Sequence, residues 1–328
     1  MPTNTTTKRP FLSTFVGRTV ENEPYAFHLE GFAASNDPKF FPADGEKQAR
    51  FNFSIGIHGP ADELLARATG DYDKGNTYTM SEFVDLTLFG KDAEAVSKVY
   101  VKGMKIAVAG KLNLRTYDKT DGTQGSSVCC SVNKYVLMES KNKPIKATVT
   151  DAFGAVSYVY KDQSGADRVI PMAELLSGIV VGTPRLGESN GKKYFGFGLK
   201  TAVPAAKVCD VANKVDAKDK EYDANKRILN IVVFDRKAET LSNIVRPGAM
   251  LVVSGPVREE EYNGDKNYRM RAREVGIMKF APLAAGEENP AGPAPAGSAA
   301  AAAEAAANAP LPSSEFAPLE DEEGELPF

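Results

Sequence analysis

The sequence predicts an all-β protein made of two tandem copies of a small five-stranded barrel, each with a short helix between its third and fourth strands. A long internal repeat is the first reason, because VDLTLFGKDAEAVSKVYVKGMKIAVAG at 84–110 aligns without a gap with LNIVVFDRKAETLSNIVRPGAMLVVSG at 229–255. A repeat of this length indicates the architecture more strongly than any local motif. The second reason is that the predicted strands are short and separated by turn residues, which is typical of closed barrels.

Each copy of the repeat has the pattern of a buried strand, a short helix, a glycine turn and another strand. The turn falls at Gly103 in the first copy and at Gly248 in the second. Apolar residues at helical spacing give each short helix one buried face. These residues are Ala93, Val96, Val99 and Tyr100 in the first copy and Ala238, Leu241, Ile244 and Val245 in the second.

The first copy belongs to a predicted domain at 11–140, which follows a polar N-terminus (1–10) that we expect to be disordered. Candidate strands at 11–18 and 25–33 compete for the first position of the barrel. The strand at 25–33 needs the smaller insertion, so we assign it to the barrel and treat 11–18 as an additional strand. The remaining elements are a strand at 50–57, a short helix at 61–68, the repeat itself, and a hairpin of 111–117 with 127–138.

The second copy belongs to a predicted domain at 174–280, and a linker at 141–173 joins the two. Within the linker, 148–160 and 168–172 flank a DQSGAD turn and predict an extra β-hairpin. The first strands of the second barrel are predicted at 175–182 and 193–199. Its final hairpin turns at 262–266 and ends with 267–278.

The C-terminal part of the chain has a different composition. Residues 281–314 are rich in Ala, Pro and Gly and predict a disordered linker, which leads to an acidic tip at 315–328. From 281 to the end there are nine acidic residues and no Lys or Arg, which leaves 40 basic residues against 34 acidic ones in the rest of the chain. A basic body with an acidic tail favours a polyanionic partner for the body and a separate role for the tail.

No pattern in the sequence predicts a catalytic or metal site. The two histidines, His28 and His58, are isolated, and the three cysteines have neither metal-ligand spacing nor the spacing of a disulfide framework. No segment is apolar enough to predict a membrane span or a signal peptide. We therefore expect a cytoplasmic protein that is not an enzyme and needs no cofactor or metal.

Three segments resemble the bacterial single-stranded DNA-binding protein (SSB) family. They are LFGKDAEAVSKVYVKG at 88–103, DPKFFPADGEKQARFNFSIG at 37–56 and the C-terminal EDEEGELPF. The resemblance covers most of 27–138 and, more faintly, 175–280. It implies that each barrel is an OB-fold and that the protein binds single-stranded DNA without sequence preference, protecting it during replication, recombination and repair. Because members of the family commonly assemble four OB domains, two in one chain also imply a homodimer, with a monomer as the alternative.

The resemblance and the residue pattern together predict the DNA-binding residues. Phe83 and Tyr117 occupy positions where the family usually has an aromatic residue, and Tyr262 corresponds to Tyr117 in the second copy. Ile228 stands where the first copy has Phe83, and the chain has no Trp. We expect Phe51, Phe53, Phe89, Phe197 and Phe234 to be core residues. The full set of predicted DNA-binding residues is Phe40, Phe41, Lys47, Arg50, Phe83, Arg115, Tyr117, Tyr262, Arg269, Arg271 and Arg273.

The last strand of the second copy carries three alternating arginines, Arg269, Arg271 and Arg273. A strand would place all three on one face, where they could contact phosphates. The second copy also has Glu259-Glu260-Glu261 near the position of Arg115. These carboxylates would repel phosphate, so we predict that the two domains contact DNA unequally.

The acidic tip has a separate predicted role. In the family, partner proteins bind the terminal Phe in an apolar pocket rimmed by basic residues, which is a form of chain-end recognition. The resemblance therefore implies that replication, recombination and repair proteins bind this tip. The residues concerned are Glu320, Asp321, Glu322, Glu323, Glu325, Leu326, Pro327 and Phe328.

Two other hypotheses remain open. The chain could be a phage- or plasmid-encoded protein with a specialised recombination role, since it has long insertions and no Trp. It could also be an OB-domain scaffold that has lost DNA binding and acts through protein contacts, which the acidic hairpin of the second copy favours.

Overall fold

The computed structural model describes residues 12–119, 121–139, 145, 147–262 and 265–282, and it confirms the all-β prediction. The acidic tip and its linker lie outside these residues, so their predicted roles stay predictions. The first half contains β1 (Thr14–Arg18), β2 (Pro24–Ala33), β3 (Lys39–Phe41), β4 (Arg50–Gly56), α1 (Ala61–Thr69), β5 (Phe83–Phe89), α2 (Gly90–Val99), β6 (Lys105–Asp118) and β7 (Gln124–Met138).

The second half repeats this pattern after one extra strand. Its elements are β8 (Gly154–Lys161), β9 (Asp167–Ser189), β10 (Lys192–Thr201), α3 (Ala205–Ala212), β11 (Ile228–Phe234), α4 (Asp235–Ser242), β12 (Met250–Gly255), β13 (Val257–Tyr262), β14 (Asp265–Arg271) and β15 (Glu274–Lys279). Among the described residues, no helix is long and apolar enough to cross a membrane.

Five strands of the first half form a closed ring. Strand β2 pairs antiparallel with both β4 and β6. Strand β5 pairs antiparallel with β4 and parallel with β7, and β7 pairs with β6. The ring order is therefore β2-β4-β5-β7-β6. The strand at 25–33 closes the barrel, as assigned from the sequence, and β1 is an additional strand paired with β2.

The second half closes a ring in the same order. Strand β9 pairs with β10 and β12, and β10 pairs with β11. Strand β11 pairs parallel with β14, β14 with β13, and β12 with β15. The fourth and fifth barrel strands are thus each broken into two segments, β12 with β13 and β14 with β15.

The alternation of residues in β4 and β5 builds the first core. Phe51, Phe53, Val84, Leu86 and other inward-facing residues are buried, while their sequence neighbours face outwards. Burying one such Phe or Leu side chain contributes about 1.5–3 kcal/mol. In the second barrel Phe195 and Phe197 pack in the equivalent core.

Glycines at equivalent points of the repeat let each barrel close. A Cβ on Gly110 would collide with the carbonyl oxygen of Ser131, and a Cβ on Gly255 would collide with that of Arg271. At these positions the fourth barrel strand crosses the fifth at close range, which only glycine permits. The repeat therefore records a shared requirement of backbone geometry.

The sequence prediction of separate strands at 168–172 and 175–182 is wrong. Strand β9 runs without interruption from the linker hairpin into the second barrel. Leu175 has a φ of 47°, so the strand bends there while its pairing continues on both sides. The linker hairpin, formed by β8 and the first part of β9, also pairs with β1 at Arg18 and Val159 and joins the sheets of the two barrels.

The two barrels share a buried interface. One hydrophobic cluster combines Phe15 and Phe27 of the first half with Met172 and Val252 of the second. Next to it, His28 is fully buried, with Nδ1 3.0 Å from Ser254 Oγ of the second barrel and Nε2 3.0 Å from Glu30 Oε1.

Two buried carboxylates in this interface have ionic partners. Glu30 Oε2 lies 2.7 Å from Lys105 Nζ. Glu274 of the second half contacts both Ser13 of the first half and Lys237. Separating a buried carboxylate from one of these partners would leave its charge uncompensated, which is strongly unfavourable. The contacts therefore fix the relative position of the elements that carry them.

Candidate nucleic-acid interface

The outward-facing side of β4 and β5 forms an open surface on the first barrel. Because side chains alternate along a strand, Arg50, Phe83 and Phe89 face away from the core. The outer positions between them carry the polar residues Asn52, Ser54, Asp85 and Thr87. We call this surface the aromatic face.

Phe83 lies at one end of the aromatic face, and its side chain is 49% exposed. It pairs across the strands with Gly56, and a Cβ added to Gly56 would lie 3.6 Å from the Phe83 ring. Glycine leaves no side chain beside the ring. Phe83 can therefore offer its π surface to a planar ligand.

A row of three side chains crosses the other end of the aromatic face. Arg50 pairs with Phe89 across β4 and β5 and with Phe41 across β3 and β4. Its guanidinium carbon lies 4.5 Å from the centre of the Phe41 ring, which is a cation–π contact. The row thus combines two exposed aromatic rings with a positive charge.

The sequence prediction that Phe89 is a core residue is wrong, because its side chain is 46% exposed. Phe89 ends the apolar run LTLF, which favoured a buried position. The alternation of residues along β5 gives the correct prediction. Phe89 lies on the same outward-facing side of the strand as Phe83, whereas Val84, Leu86 and Leu88 face the core.

The hairpin of β6 and β7 extends beyond the barrel and carries two more predicted residues. Arg115 and Tyr117 share one side of β6, and both are exposed, Tyr117 by 44%. Tyr117 pairs with Gly125, and a Cβ on that glycine would lie 2.7 Å from the tyrosine ring. Tyr117 therefore covers a glycine, as Phe83 does.

Phe40 and Lys47 are exposed but stand apart from this arrangement. Phe40 pairs with the inward-facing Phe51, so it lies out of line with Phe41 and Arg50. Lys47 forms an isolated backbone bridge with Asp44 in the loop before β4. The structure gives neither residue a contact with the aromatic face.

The equivalent surface of the second barrel is closed. The outer positions of β10 include Gly196 and Gly198, and those of β11 include Asn230 and Val232, all of which are buried. Ile228, which replaces Phe83, is only partly exposed. The side chain of Tyr262, at the end of β13, lies outside the described residues.

Arginines take part in closing this second surface. Strand β14 places Arg269 beside Asn230 and Arg271 beside Val232. Arg269 is only 8% exposed, and its Nη1 lies 3.1 Å from Glu260 Oε2. Burial lowers the pKa of Arg269, against the opposing effect of Glu260. Its partner within the protein is therefore a carboxylate.

Arg271 and Arg273 occupy different surroundings. The Arg271 guanidinium carbon lies 4.9 Å from the centre of the Phe234 ring. The expectation of three arginines on one face of one strand is wrong at Arg273, because β14 ends at Arg271 and β15 begins at Glu274. The break places Arg273 near the linker hairpin.

The acidic hairpin of the second barrel is largely paired. Glu259 lies 2.7 Å from Lys266, and Glu260 lies 2.9 Å from Arg258 as well as close to Arg269. These pairs reduce the negative field that the sequence alone predicts. The negative charge of this hairpin is therefore largely neutralised, and the hairpin repels phosphate less than the sequence predicts.

Neither a metal-ion cluster nor a reactive thiol at Cys130 or Cys209 is present among the described residues. They contain no group of three or more His, Cys, Asp or Glu residues placed to hold a metal ion. Burial raises the pKa of the Cys130 thiol to about 12 and that of the Cys209 thiol to about 11, so neither is a reactive thiolate at neutral pH.

Comparisons with known proteins point to one family. Residues 37–138 match the model of the Single-strand binding protein family. Over 44 residues, 13% of this chain, the sequence is 39% identical to Single-stranded DNA-binding protein 1 of Clostridium acetobutylicum, and the match spans 40% of that relative's length.

Two solved structures are similar over longer stretches. The single-stranded DNA binding protein from Thermus aquaticus is 15% identical, with 84% of this chain and 97% of that chain covered and a TM-score of 0.24. The small single-stranded DNA-binding protein from Streptomyces coelicolor is 18% identical, with 34% and 92% covered and a TM-score of 0.24. At these values neither structure adds to the fold described above.

Proposed function

We propose that the protein binds single-stranded DNA without sequence preference, and the match of residues 37–138 to the model of the Single-strand binding protein family supports this. Its two barrels act as OB-folds, and binding protects DNA during replication, recombination and repair. The activity is non-catalytic and requires no cofactor or metal. The protein acts in the cytoplasm, on the nucleoid.

The aromatic face of the first barrel, together with the hairpin of β6 and β7 that adjoins β5, is the observation that carries this proposal. Phe83, Phe89 and Tyr117 are exposed rings, and Arg50 and Arg115 place positive charge beside them. Bases stack on such rings for about 1–3 kcal/mol each, whatever their identity, while cations follow the phosphates. Exposed rings without cations would instead favour an apolar protein partner.

Two further parts of the proposal rest on the sequence and the family resemblance. The acidic tip, Glu320–Phe328, recruits replication, recombination and repair proteins. Tethering them by a long linker raises their effective concentration at the DNA. Two chains associate as a homodimer, so that four barrels act on one strand.

Titration of the full chain with oligo-dT and with a mixed-sequence duplex, at several salt concentrations, tests the main proposal. We expect tight, salt-dependent binding to the single strand alone. The Phe83→Ala variant should bind more weakly, while Leu186→Ala, which removes an exposed side chain from β9 of the other barrel, should bind like the parent. Equal affinity for duplex would contradict the proposal.

Only the second barrel supports the alternative hypothesis, in which the protein is an OB-domain scaffold that acts through protein contacts. The outer positions of its strand β10 include glycines, and Arg269 lies buried beside β11. The described side chains of this surface therefore offer bases no row of exposed rings. That barrel could serve mainly to position the first. Binding of oligo-dT that survives removal of the first barrel's aromatic residues would contradict this division.

A further inference from the structure

A group of cationic and aromatic side chains lies where the two barrels meet, away from the aromatic face. Arg18 ends β1, and its backbone pairs with Val159 of β8. Tyr158 and Tyr160 project from the same side of β8, with their stacked ring centres 6.0 Å apart. Arg273 comes from the second barrel. Its neighbour Glu274 accepts a hydrogen bond from Ser13, which directly precedes β1, so this part of the chain lies beside the first half. Both tyrosines also influence the pKa of Arg273. We call this group the seam.

Arg273 is a cation whose bonding is incomplete. Its Nε is buried and has no hydrogen-bond partner among the described residues. Burial lowers the pKa of Arg273, and the like charge of Arg271 lowers it further. Arg273 as a whole is partly exposed, so an anion from solution can reach the accessible part of its guanidinium and compensate a charge that the protein pairs only incompletely.

Arg18 supplies a second cation, from the first barrel. Its Nη1 donates a hydrogen bond to Asn22 Oδ1 at 3.0 Å, which holds the guanidinium in place. Its Nε passes over Gly70 at the end of α1, 3.8 Å from where a Cβ would stand, so no side chain from that glycine competes for the space.

Both cations act on one tyrosine. Burial raises the pKa of Tyr158, and the charges of Arg273 and then Arg18 oppose that rise. The ring of Tyr158 packs closely against the backbone of Gly17, which fixes the tyrosine between the two barrels. Tyr158 of the linker hairpin is thus within electrostatic reach of one cation from each half of the protein.

We propose that Arg18, Arg273 and Tyr160 form an anion subsite that binds a backbone phosphate of single-stranded DNA where the strand passes from one barrel to the other. This proposal rests on the proposed function and deepens it by giving the strand a path across the seam. Guanidinium forks match phosphate oxygens, and the tyrosine hydroxyl adds a donor. Arg271, stacked on Phe234, continues the cationic path along the second barrel.

Two oligonucleotide lengths test this path in the full chain. An oligo-dT of about 12 nucleotides fits one OB-fold, and one about three times longer is long enough to extend along the seam to the second barrel of the same chain. Arg273→Gln and Arg18→Gln should each reduce the slope of log K against log salt by about 0.7 for the long oligonucleotide. Neither variant should change the slope for the short one.

A matched control lies on the same hairpin. Lys161→Gln removes a cation that is ion-paired with Asp167 at 3.1 Å and that faces the other side of β8 from Tyr160, so it should leave both slopes unchanged. Arg273→Lys keeps the charge but loses the fork, so it tests the subsite if Arg273→Gln fails to fold. It should weaken binding of the long oligonucleotide only.

Two results would overturn the proposal. An unchanged slope for the long oligonucleotide would mean that no phosphate binds at the seam. An equal loss on the short oligonucleotide would mean that these residues belong to one barrel's own site. If Phe83→Ala leaves binding of the short oligonucleotide intact, the proposed function of the aromatic face has failed instead, and the two failures are thereby distinguished.

Discussion

The two barrels share a frame but differ on the surface that each presents. Strands pair in the same order in both, and Gly110 and Gly255 allow the same close crossing. On the outer surface, Phe83 of the first barrel corresponds to Ile228 of the second, and Ser131 corresponds to Arg271. Duplication has therefore kept the buried geometry while the exposed positions diverged.

The difference indicates a division of labour. Open rings next to cations suit base stacking, whereas a surface on which Arg269 is buried and paired with Glu260 suits packing within the protein. The frame has to be kept for each barrel to fold, but only one barrel needs a stacking surface if both act on the same strand.

The largest expected effect follows from removing that surface. The variant Phe83→Ala/Phe89→Ala/Tyr117→Ala should lose at least about a hundredfold in affinity for oligo-dT, because each ring contributes about 1–3 kcal/mol. The matched variant in the second barrel, Ile228→Ala/Phe234→Ala, should lose less than tenfold by the same scale. Fluorescence anisotropy at fixed salt measures both, and equal losses would break the comparison.

Much of the frame could be predicted from the sequence because it is local. The repeat, the strand alternation and the turns at Gly103 and Gly248 depend on neighbouring residues, and both glycines have the positive φ that a turn requires. The additional strand β1 also followed from the size of the insertions. These features need no knowledge of distant contacts.

The parts that could not be predicted depend on partners far away in the sequence. The seam and the contact of His28 with Ser254 join residues from different barrels. The pair of Arg269 with Glu260 is closer in sequence, within the β13–β14 hairpin, but it is a diagonal contact that depends on the register of the two strands. Phe89 is the exception. The alternation of residues along the strand already placed it on the outward-facing side with Phe83, but the apolar residues before it led to the wrong prediction of a core position.

The shared frame can be tested through its paired glycines. Gly110→Ala and Gly255→Ala should each destabilise the protein by roughly 2 kcal/mol or more, since a Cβ at either site meets backbone that has little room to move. Gly75→Ala is a control, because its Cβ would make an ordinary contact at 3.5 Å with the Asp73 side chain. Urea unfolding measures all three, and a neutral effect at only one of the paired sites would show that the frames differ.

A buried carboxyl group, that of Glu174, occupies a position of the second barrel where the first barrel has no ionisable residue. Ala26 pairs with Gly110 and Ala173 with Gly255, so Glu174 stands in the second barrel where Phe27 stands in the first. Burial raises the pKa of Glu174 from about 4.5 to about 8, although Tyr25 and Lys134 oppose the shift. The folded state therefore holds a proton that the unfolded state releases over this range.

Stability should consequently fall as pH rises from about 4.5 to about 8. Glu174→Gln keeps the shape without the ionisation, so it should flatten this dependence and unfold at a higher temperature than the parent above pH 8. Glu239→Gln is the control, because Glu239 is an exposed partner of Lys193 and should leave the slope unchanged. A parent profile that stays flat would exclude a proton on Glu174.

The smallest effect concerns the residue that begins the short helix of each repeat. Gly90 has a φ of 58° and its counterpart Asp235 a φ of 59°, so the left-handed turn persists although the residue has changed. Gly90→Ala should destabilise the first barrel by about 1 kcal/mol, because a Cβ strains this conformation. Asp235→Gly should change stability by less than about half as much, since relief of strain is offset by the loss of a carboxylate at the helix start and by the freedom of glycine in the unfolded chain. A gain in stability above about 1 kcal/mol for Asp235→Gly in urea unfolding would show that the aspartate strains the backbone at this turn. A near-zero change would mean that aspartate at this turn stabilises the second barrel about as well as glycine stabilises the first.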